Sequence, residues 1–555
     1  MRKLFPYILL PVVALFICFS CNKNDEQIGV SLHQLQVPVL KFKQNNPVLQ
    51  ISLSVSKGAS SGHVTSVTVN TEGCDDLSDI KTVRLFYLRG DSLWTRNSEP
   101  EQFGPDMKPS EFICFEGEQK LEEGRNFFWL SYELAEGANL HHRVDAGCTE
   151  INFSEHPRLK LKNMNPPVSQ RIGVAVRQHK EDGVHTYRIP GITTSNQGTL
   201  LAIYDVRRES GRDLQGHMDI GLSRSTDKGN TWEPMRIPLD MGEWGGLPQK
   251  FNGVSDACIL VDKNSENIFV AGLWMHGVLD TAGRWIEGLN EESDAWEHQW
   301  KRKGSQQGFD PRRTSQFLIS KSTDDGQTWG EPVNLTRMCK DESWWLWAPA
   351  PGNGITLEDG TLVFPTQGRD ENGLPFSNIT YSTDKGLNWK TSNAASHNTT
   401  ECAVVQLSDG SLMLNIRDNR NRTVREEENG RSVAVSRDLG NSWEKHPSSN
   451  SALKEPVCMA SLHKHVYTED GETKSILLFS NPNITERPRR RTSIKVSFDD
   501  GKTWPEEFWL LLDEGNNRGY SCLTSVDENT IGILYEGSQA HMTFESIPLE
   551  KLLKK

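Results

Sequence analysis

Positive charge is in short supply: 61 lysines and arginines stand against 74 aspartates and glutamates, a formal net charge of −13 at pH 7. That balance argues against nucleic acid as a partner. It leaves room for an anionic ligand, because a few converging arginines hold an anion inside a negative protein. Aromatics are sparse, at 8%, and apolar residues reach only 35%. Over 555 residues, this composition suits a water-exposed, β-rich chain of more than one domain. No Cys or His spacing resembles a zinc site, no cofactor is expected, and "HH" at 141–142 and "HKH" at 463–465 read as exposed histidines.

Long apolar runs are also scarce. The stretch from Leu4 to Phe19 follows two basic residues, is short for a membrane span, and ends in Ser20-Cys21. Residues 1–21 resemble a bacterial lipoprotein signal with Cys21 as the lipidated residue and the polar "NKNDEQ" as a tether; the alternative is an ordinary signal peptidase site that removes Cys21. On the first reading the protein is exported and sits on the outer membrane or cell surface, touching the membrane through its lipid alone. Eight cysteines remain, three before residue 160 and five after it, so neither group pairs completely within itself. Three of them, Cys258, Cys402 and Cys522, lie in apolar strand-like runs and read as small buried hydrophobes.

What the chain has instead is a repeat. "STDKGNTW" at 225–232 returns as "STDDGQTW", "STDKGLNW", "SRDLGNSW" and "SFDDGKTW", with its Asp at 227, 324, 384, 438 and 499, separations of 97, 60, 54 and 61 residues. Asp hydrogen-bonds amides just downstream and Gly accepts positive φ, so each copy predicts a hairpin turn, its Trp packing against the sheet. A strand-rich unit recurring about every 50 residues predicts a β-propeller. Counting strands such as "TLLAIYDVR", "SLMLNIRD" and "TIGILYEG" gives six blades over 171–550, one without the turn. The 97-residue gap implies a Trp-rich insertion at 242–312, carrying Trp244, Trp274, Trp285, Trp296 and Trp300, which reads equally as a binding element or as packing. Ahead of the propeller, residues 22–160 alternate as a small β-sandwich, and 161–170 with Pro166-Pro167 form a linker.

One arginine is oddly placed for a surface charge: Arg188 in "VHTYRIPGI", between an aromatic residue and Ile-Pro at the start of a strand. Arg-Ile-Pro followed by repeated Ser-x-Asp-x-Gly-x-Thr-Trp turns, called Asp boxes, resembles the bacterial exo-sialidase (neuraminidase) family, glycoside hydrolase family 33, over about 165–550. The resemblance implies a site for sialic acid, whose carboxylate is held by three arginines. Arg188 and Arg417 match two of them. "ERPRRRTSIKVS" offers Arg487, Arg489, Arg490 and Arg491 for the third, and strand phase favours Arg489, with Arg491 next.

The resemblance also implies a tyrosine nucleophile, since an anionic one would be repelled by the sugar's own carboxylate. Tyr520 in "NNRGYSCLTSV" matches it, with Glu401 in "TTECAVV" as its base. Asp213, in a Gly/Arg-rich loop 25 residues after Arg188, is chosen as acid/base over Asp205 and Asp219. Arg207 resembles an auxiliary residue beside the carboxylate, Asp256 a contact to the 4-hydroxyl or amide region, and Glu536 the carboxylate that orients Arg188. The implied reaction is retaining hydrolysis of terminal α-linked sialosides by a monomeric enzyme acting on sialylated glycans. The rivals are a trans-sialidase, including an intramolecular form, and a non-catalytic glycan-binding lipoprotein.

Overall fold

A computed structural model describes residues 28–58, 62–89, 94, 100–162, 166–214, 216–244, 246, 248–277, 286–290, 292–293, 305–425 and 427–554. In each of the five repeats the turn closes on its own side chains. Asp227 Oδ1 accepts from Ser225 Oγ at 2.8 Å and from Thr231 N at 2.9 Å, and its Oδ2 accepts from Thr231 Oγ1 at 2.6 Å. The same bonds recur around Asp324, Asp384, Asp438 and Asp499. The residue before each Gly also takes positive φ, from Lys228 at 59° to Asp500 at 56°, so both central positions are left-handed, as a type I′ hairpin turn requires. The expected glycine was half of the signal; its neighbour carries the other half.

Antiparallel pairing groups the strands into six sets of four. The first set runs Thr186–Thr194, Leu200–Arg207, Met218–Ser225 and Arg236–Leu239. Every repeat lies between the third and fourth strands of its set, at the outer edge. The last set explains why there are five repeats for six sets. Its first three strands are Ser521–Asp527, Thr530–Tyr535 and Met542–Pro548, but its fourth is Gln170–Arg177, from the other end of the propeller. No hairpin joins its third and fourth strands, so none is needed. The first strands of neighbouring sets lie side by side around the axis, and the site is built on them.

Residues 28–160 pack two sheets face to face. One holds Ile28–His33, Asn46–Val55, Ile80–Leu88, Glu101–Gln102 and Gly124–Leu134; the other holds His63–Asn70, Phe112–Lys120, Gly147–Phe153 and Leu159–Lys160. Ile51, Leu85 and Phe128 of one sheet share a core with Val67, Phe115 and Ile151 of the other.

The expected linker at 161–170 does not separate this unit from the propeller. Val39–Lys41 pairs in parallel with Gln170–Arg177, and Arg143–Val144 pairs with the same strand. Gln36 N donates to Glu514 Oε1 at 2.8 Å, and Lys41 Nζ donates to Asn230 O at 3.1 Å. A single apolar core runs from Val39 and Val144 through Ile172 and Val174 to Phe544.

The 242–312 segment is also reassigned in part. Strands Asn252–Val261 and Ile268–His276 fill much of it, and Trp274 is fully buried with Trp244 against it, ring centroids 4.3 Å apart. Those two tryptophans are core packing; Trp285, Trp296 and Trp300 lie outside the described residues, as do Cys21 and the segment before it. The "HKH" histidines are not exposed. His463 Nε2 and His465 Nδ1 both meet Ser525 Oγ, at 2.8 and 2.7 Å, and burial pushes the His463 ring down to about 3. Of the other pair, His141 is exposed but His142 is half-buried against Asp79. All eight cysteines among the described residues are free thiols, with Cys258, Cys402 and Cys522 buried. Among those residues no helix is long and apolar enough to cross a membrane.

Candidate active site

Three innermost strands break register near the axis, between Arg188 and Gly191, Ser255 and Cys258, and Thr399 and Cys402. A bulge re-aims the side chains beside it. Here the breaks carry Arg188, Asp256 and Glu401 to one cavity of about 920 Å³, which Asp213, Arg417, Arg489 and Tyr520 also line. Ile189 and Asp256 hold φ of 60° and 56°, positions that side chains with a Cβ resist, and the strands around them sustain that cost.

At the floor, Tyr520 Oη donates to Glu401 Oε1 while Arg417 Nη1 donates to Glu401 Oε2. Arg417 Nη1 also reaches Tyr520 Oη at 3.0 Å. The Tyr520 ring lies under two guanidiniums, Arg188 at 5.3 Å and Arg489 at 5.8 Å from its centroid. Burial first, and the Glu401 charge next, hold the Tyr520 phenol well above its usual range despite Arg417 and Arg489. The resting side chain is therefore a neutral phenol, hydrogen-bonded to the group that can take its proton. Gly519 before it has φ of 95°, and a Cβ there would lie 2.7 Å from Arg489 Cδ and 2.9 Å from Cys458 Sγ. Only glycine fits between these groups.

Each of the three arginines is braced on one side. Glu536 accepts from Arg188 Nε at 2.7 Å and Nη2 at 3.3 Å, and from the backbone amides of Ile189 and Tyr520 at 3.1 and 3.0 Å. Burial alone would raise the Glu536 carboxyl, but Arg188 and the two amides hold it below its usual range, so it stays ionised. Arg489 donates to the carbonyls of Arg518 and Val457, at 2.7 and 2.6 Å. The neighbours of Arg489 point elsewhere: Arg490 pairs with Glu486 at 3.2 Å, and Arg491 is exposed with φ of 62°. Arg487 also lines the cavity, closer to solvent.

Asp213 Oδ1 sits 2.7 Å from Arg207 Nη1 and 3.5 Å from Arg188 Nη1. Arg207 does not line the cavity. It lies beneath, buried, tying Asp213 and the carbonyls of Gly211 and Arg212 to Asp205. Asp205 in turn accepts from Ser255 Oγ at 2.6 Å and Asp256 N at 3.2 Å. The Asp256 carboxyl is pushed well above its usual range, by burial and then by Asp205, Glu401 and Asp213. Of the alternatives to Asp213, Asp205 is thus a buried brace and Asp219 pairs with Arg208 at 2.6 Å on the strand that enters the first repeat.

Sequence reasoning missed Asp205 and Ser255 as braces. It also missed a fully buried pair, Arg431 and Glu455, 2.6 Å apart. Glu455 Oε1 accepts from Asp418 N at 2.8 Å and Asn421 Nδ2 at 2.9 Å, fixing the turn that follows Arg417. Arg431 opens a strand in "NGRSVAVS", the same placement that singled out Arg188, and that was the available signal. Among the described residues no cluster of His, Cys, Asp or Glu could hold a metal ion.

A propeller with Asp-box turns at its rim and, near its axis, a tyrosine hydrogen-bonded to a glutamate among arginines is the frame on which comparison with known proteins places the chain among the Asp-box glycoside hydrolases. Residues 189–504 match the BNR repeat-like domain family, and residues 27–157 match the N-terminal domain of BNR-repeat neuraminidase. A sialidase of Bacteroides fragilis is 40% identical over 97% of this chain and 98% of its own; one from Clostridium perfringens is 30% identical over 63% and 86%. The Hadza microbial sialidase Hz136 superposes with a TM-score of 0.82 at 37% identity, covering 94% of this chain and all of that one. The chain belongs to the sialidase family and is a glycoside hydrolase.

Proposed function

We propose that the protein is a retaining exo-α-sialidase that removes terminal α-linked sialic acids from glycoproteins, glycolipids and oligosaccharides, with Tyr520 as nucleophile. The observation that carries this reading is the hydrogen-bonded triangle of Tyr520, Glu401 and Arg417 on the floor of a cavity where Arg188 and Arg489 converge. A single sugar carboxylate satisfies the open edges of those arginines, through forks that match it in shape and charge. It thereby sets the anomeric carbon over the Tyr520 hydroxyl.

Because the resting phenol is neutral, its proton passes to Glu401 as the oxygen attacks, and no standing phenoxide is required. The substrate's negative charge arriving beside Asp213 favours that carboxyl's protonated form, which supplies the leaving oxygen with its proton. Asp213 then takes a proton from water as the water displaces Tyr520, Glu401 returns its proton to the departing phenol oxygen, and two inversions give net retention. Burial and the neighbouring carboxyls favour the protonated form of Asp256, which suits it to donate a hydrogen bond to a sugar hydroxyl or amide oxygen.

A 2,3-difluorinated sialic acid should trap a covalent adduct on the peptide that contains Tyr520. NMR of ordinary turnover should show the α anomer as the first product. An adduct on another residue, or a first product that is the β anomer or an anhydro sugar, would overturn the reading. A Trypanosoma rangeli sialidase has been solved with 2,3-difluorosialic acid as a covalent intermediate; at 21% identity and a TM-score of 0.53 it shares the fold.

We also propose that Cys21 anchors the protein to a membrane surface, on the strength of its place after the apolar run. Metabolic labelling with an alkyne fatty acid should tag the wild-type protein and not Cys21→Ala. Equal labelling, or none in either, would sink the anchor.

A further inference from the structure

Among the described residues seven arginines line the cavity, against three carboxyl groups, those of Asp213, Asp256 and Glu401. In a chain of net charge −13 this is a local reversal of sign. One sugar carboxylate explains three of those arginines, each already braced from behind. Two others are differently placed. Arg422 and Arg487 are exposed at the mouth, beyond Arg417 and Arg489, on two loops that Arg425 ties together by donating to Thr485 O and, at 3.0 Å, to Arg422 O.

Neither makes a salt bridge among the described residues; the Glu401 charge acts on Arg422 only from beyond contact, and the Arg422 side chain donates to Asn419 Oδ1, at 3.2 Å. Like charges crowd them. Arg489, then partial burial, then Arg417 lower the proton affinity of Arg487, and partial burial, then Arg417 and Arg489 lower that of Arg422. Such a grouping is unfavourable until an anion arrives, and a guanidinium fork is suited to a carboxylate or a sulfate.

We propose that Arg422 and Arg487 form a subsite for a second anionic group, carried by the sugar on the far side of the bond being cleaved. The terminal sugar's carboxylate reaches the buried arginines, so an acidic group on the part of the substrate left outside meets this pair. Two chemistries supply it: the carboxylate of an adjoining sialic acid, or a sulfate ester on a neutral sugar. The inference rests on the reading of the cavity as a sialoside site.

The test compares wild type with Arg422→Gln/Arg487→Gln on three substrates at physiological salt: a sialoside of a neutral disaccharide, the same compound sulfated on the adjoining sugar, and a sialyl-sialoside. The ratio of kcat/KM for a two-anion substrate over the neutral one should fall about tenfold or more in the double variant, the scale of lost charge-assisted hydrogen bonds. The substrate whose ratio falls identifies the carboxylate or the sulfate as the ligand. Ratios unchanged within about twofold for both would overturn the subsite. So would an equal loss on all three substrates, which would mean that the arginines only steer anions toward the cavity. If wild type cleaves none of the three, the sialoside reading itself fails, an outcome distinct from unchanged ratios on cleaved substrates.

Discussion

Tyr520→Phe should lower kcat/KM on a methylumbelliferyl α-sialoside by about 10³- to 10⁴-fold while leaving the affinity for a sialic acid analogue within a few-fold. The substitution removes one oxygen and keeps the ring over which Arg188 and Arg489 lie, at 5.3 and 5.8 Å. Glu401 loses one hydrogen bond but keeps Arg417, so the carboxylate is not orphaned and the arginine triad keeps its frame. Loss confined to turnover would separate a nucleophile from a structural tyrosine. The residual reaction carries further information: with the hydroxyl gone, a water in the vacated space attacks the same face once, and the product should switch to the β anomer. Turnover within tenfold of wild type would exclude Tyr520 as the nucleophile.

Removal of residues 22–164 should cost the propeller its cooperative fold, not merely an accessory module. The truncation strips the parallel strand Val39–Lys41 from Gln170–Arg177 and exposes Val39's and Leu40's partners Ile172, Val174 and Ala175. Four fully buried side chains, Val39, Leu40, Ile172 and Val174, stand for about 6–12 kcal/mol of apolar burial as an upper bound, comparable to the whole stability of an ordinary domain. Arg171 is affected as well: its guanidinium is paired with Glu545 at 2.6 Å and donates to Leu512 O at 2.6 Å on the strand that loses its cover. The truncated chain should be recovered as aggregate or melt without a sharp transition by calorimetry. A soluble truncated protein with wild-type melting and kcat/KM would show the two units to be independent.

The repeats were legible because their chemistry is local: an Asp, a Gly and three neighbours close one turn, and the spacing of five such turns measures the sets of strands. The cavity residues were legible for a different reason. Each sits at a strand end or loop recognisable by its own short motif, such as Arg188 in "YRIP" and Tyr520 in "GYS". What stayed hidden depends on contacts between distant segments. No local pattern announces that Val39–Lys41 pairs with a strand 130 residues later, because an apolar run as short as Val39-Leu40 fits the core of either unit. Polarity misled at "HKH", where two histidines turn inward and share one serine hydroxyl, that of Ser525. Braces such as Asp205 and Glu455 lie behind the functional side chains, and their sequence contexts carry no mark of the arginines they hold.

Arg188 stands in the first set of strands and Glu536 in the last, 348 residues further along the chain. The salt link between them therefore spans the seam at which the ring closes, and Tyr520 hangs from the same carboxylate through its amide. Assembly of the cavity and closure of the ring are one event. An unfinished chain holds no half-built site: until Met542–Phe544 has joined Val174–Arg177, Arg188 has nothing to orient it and Tyr520 has no fixed place. The site is complete only when the first and last sets of strands meet.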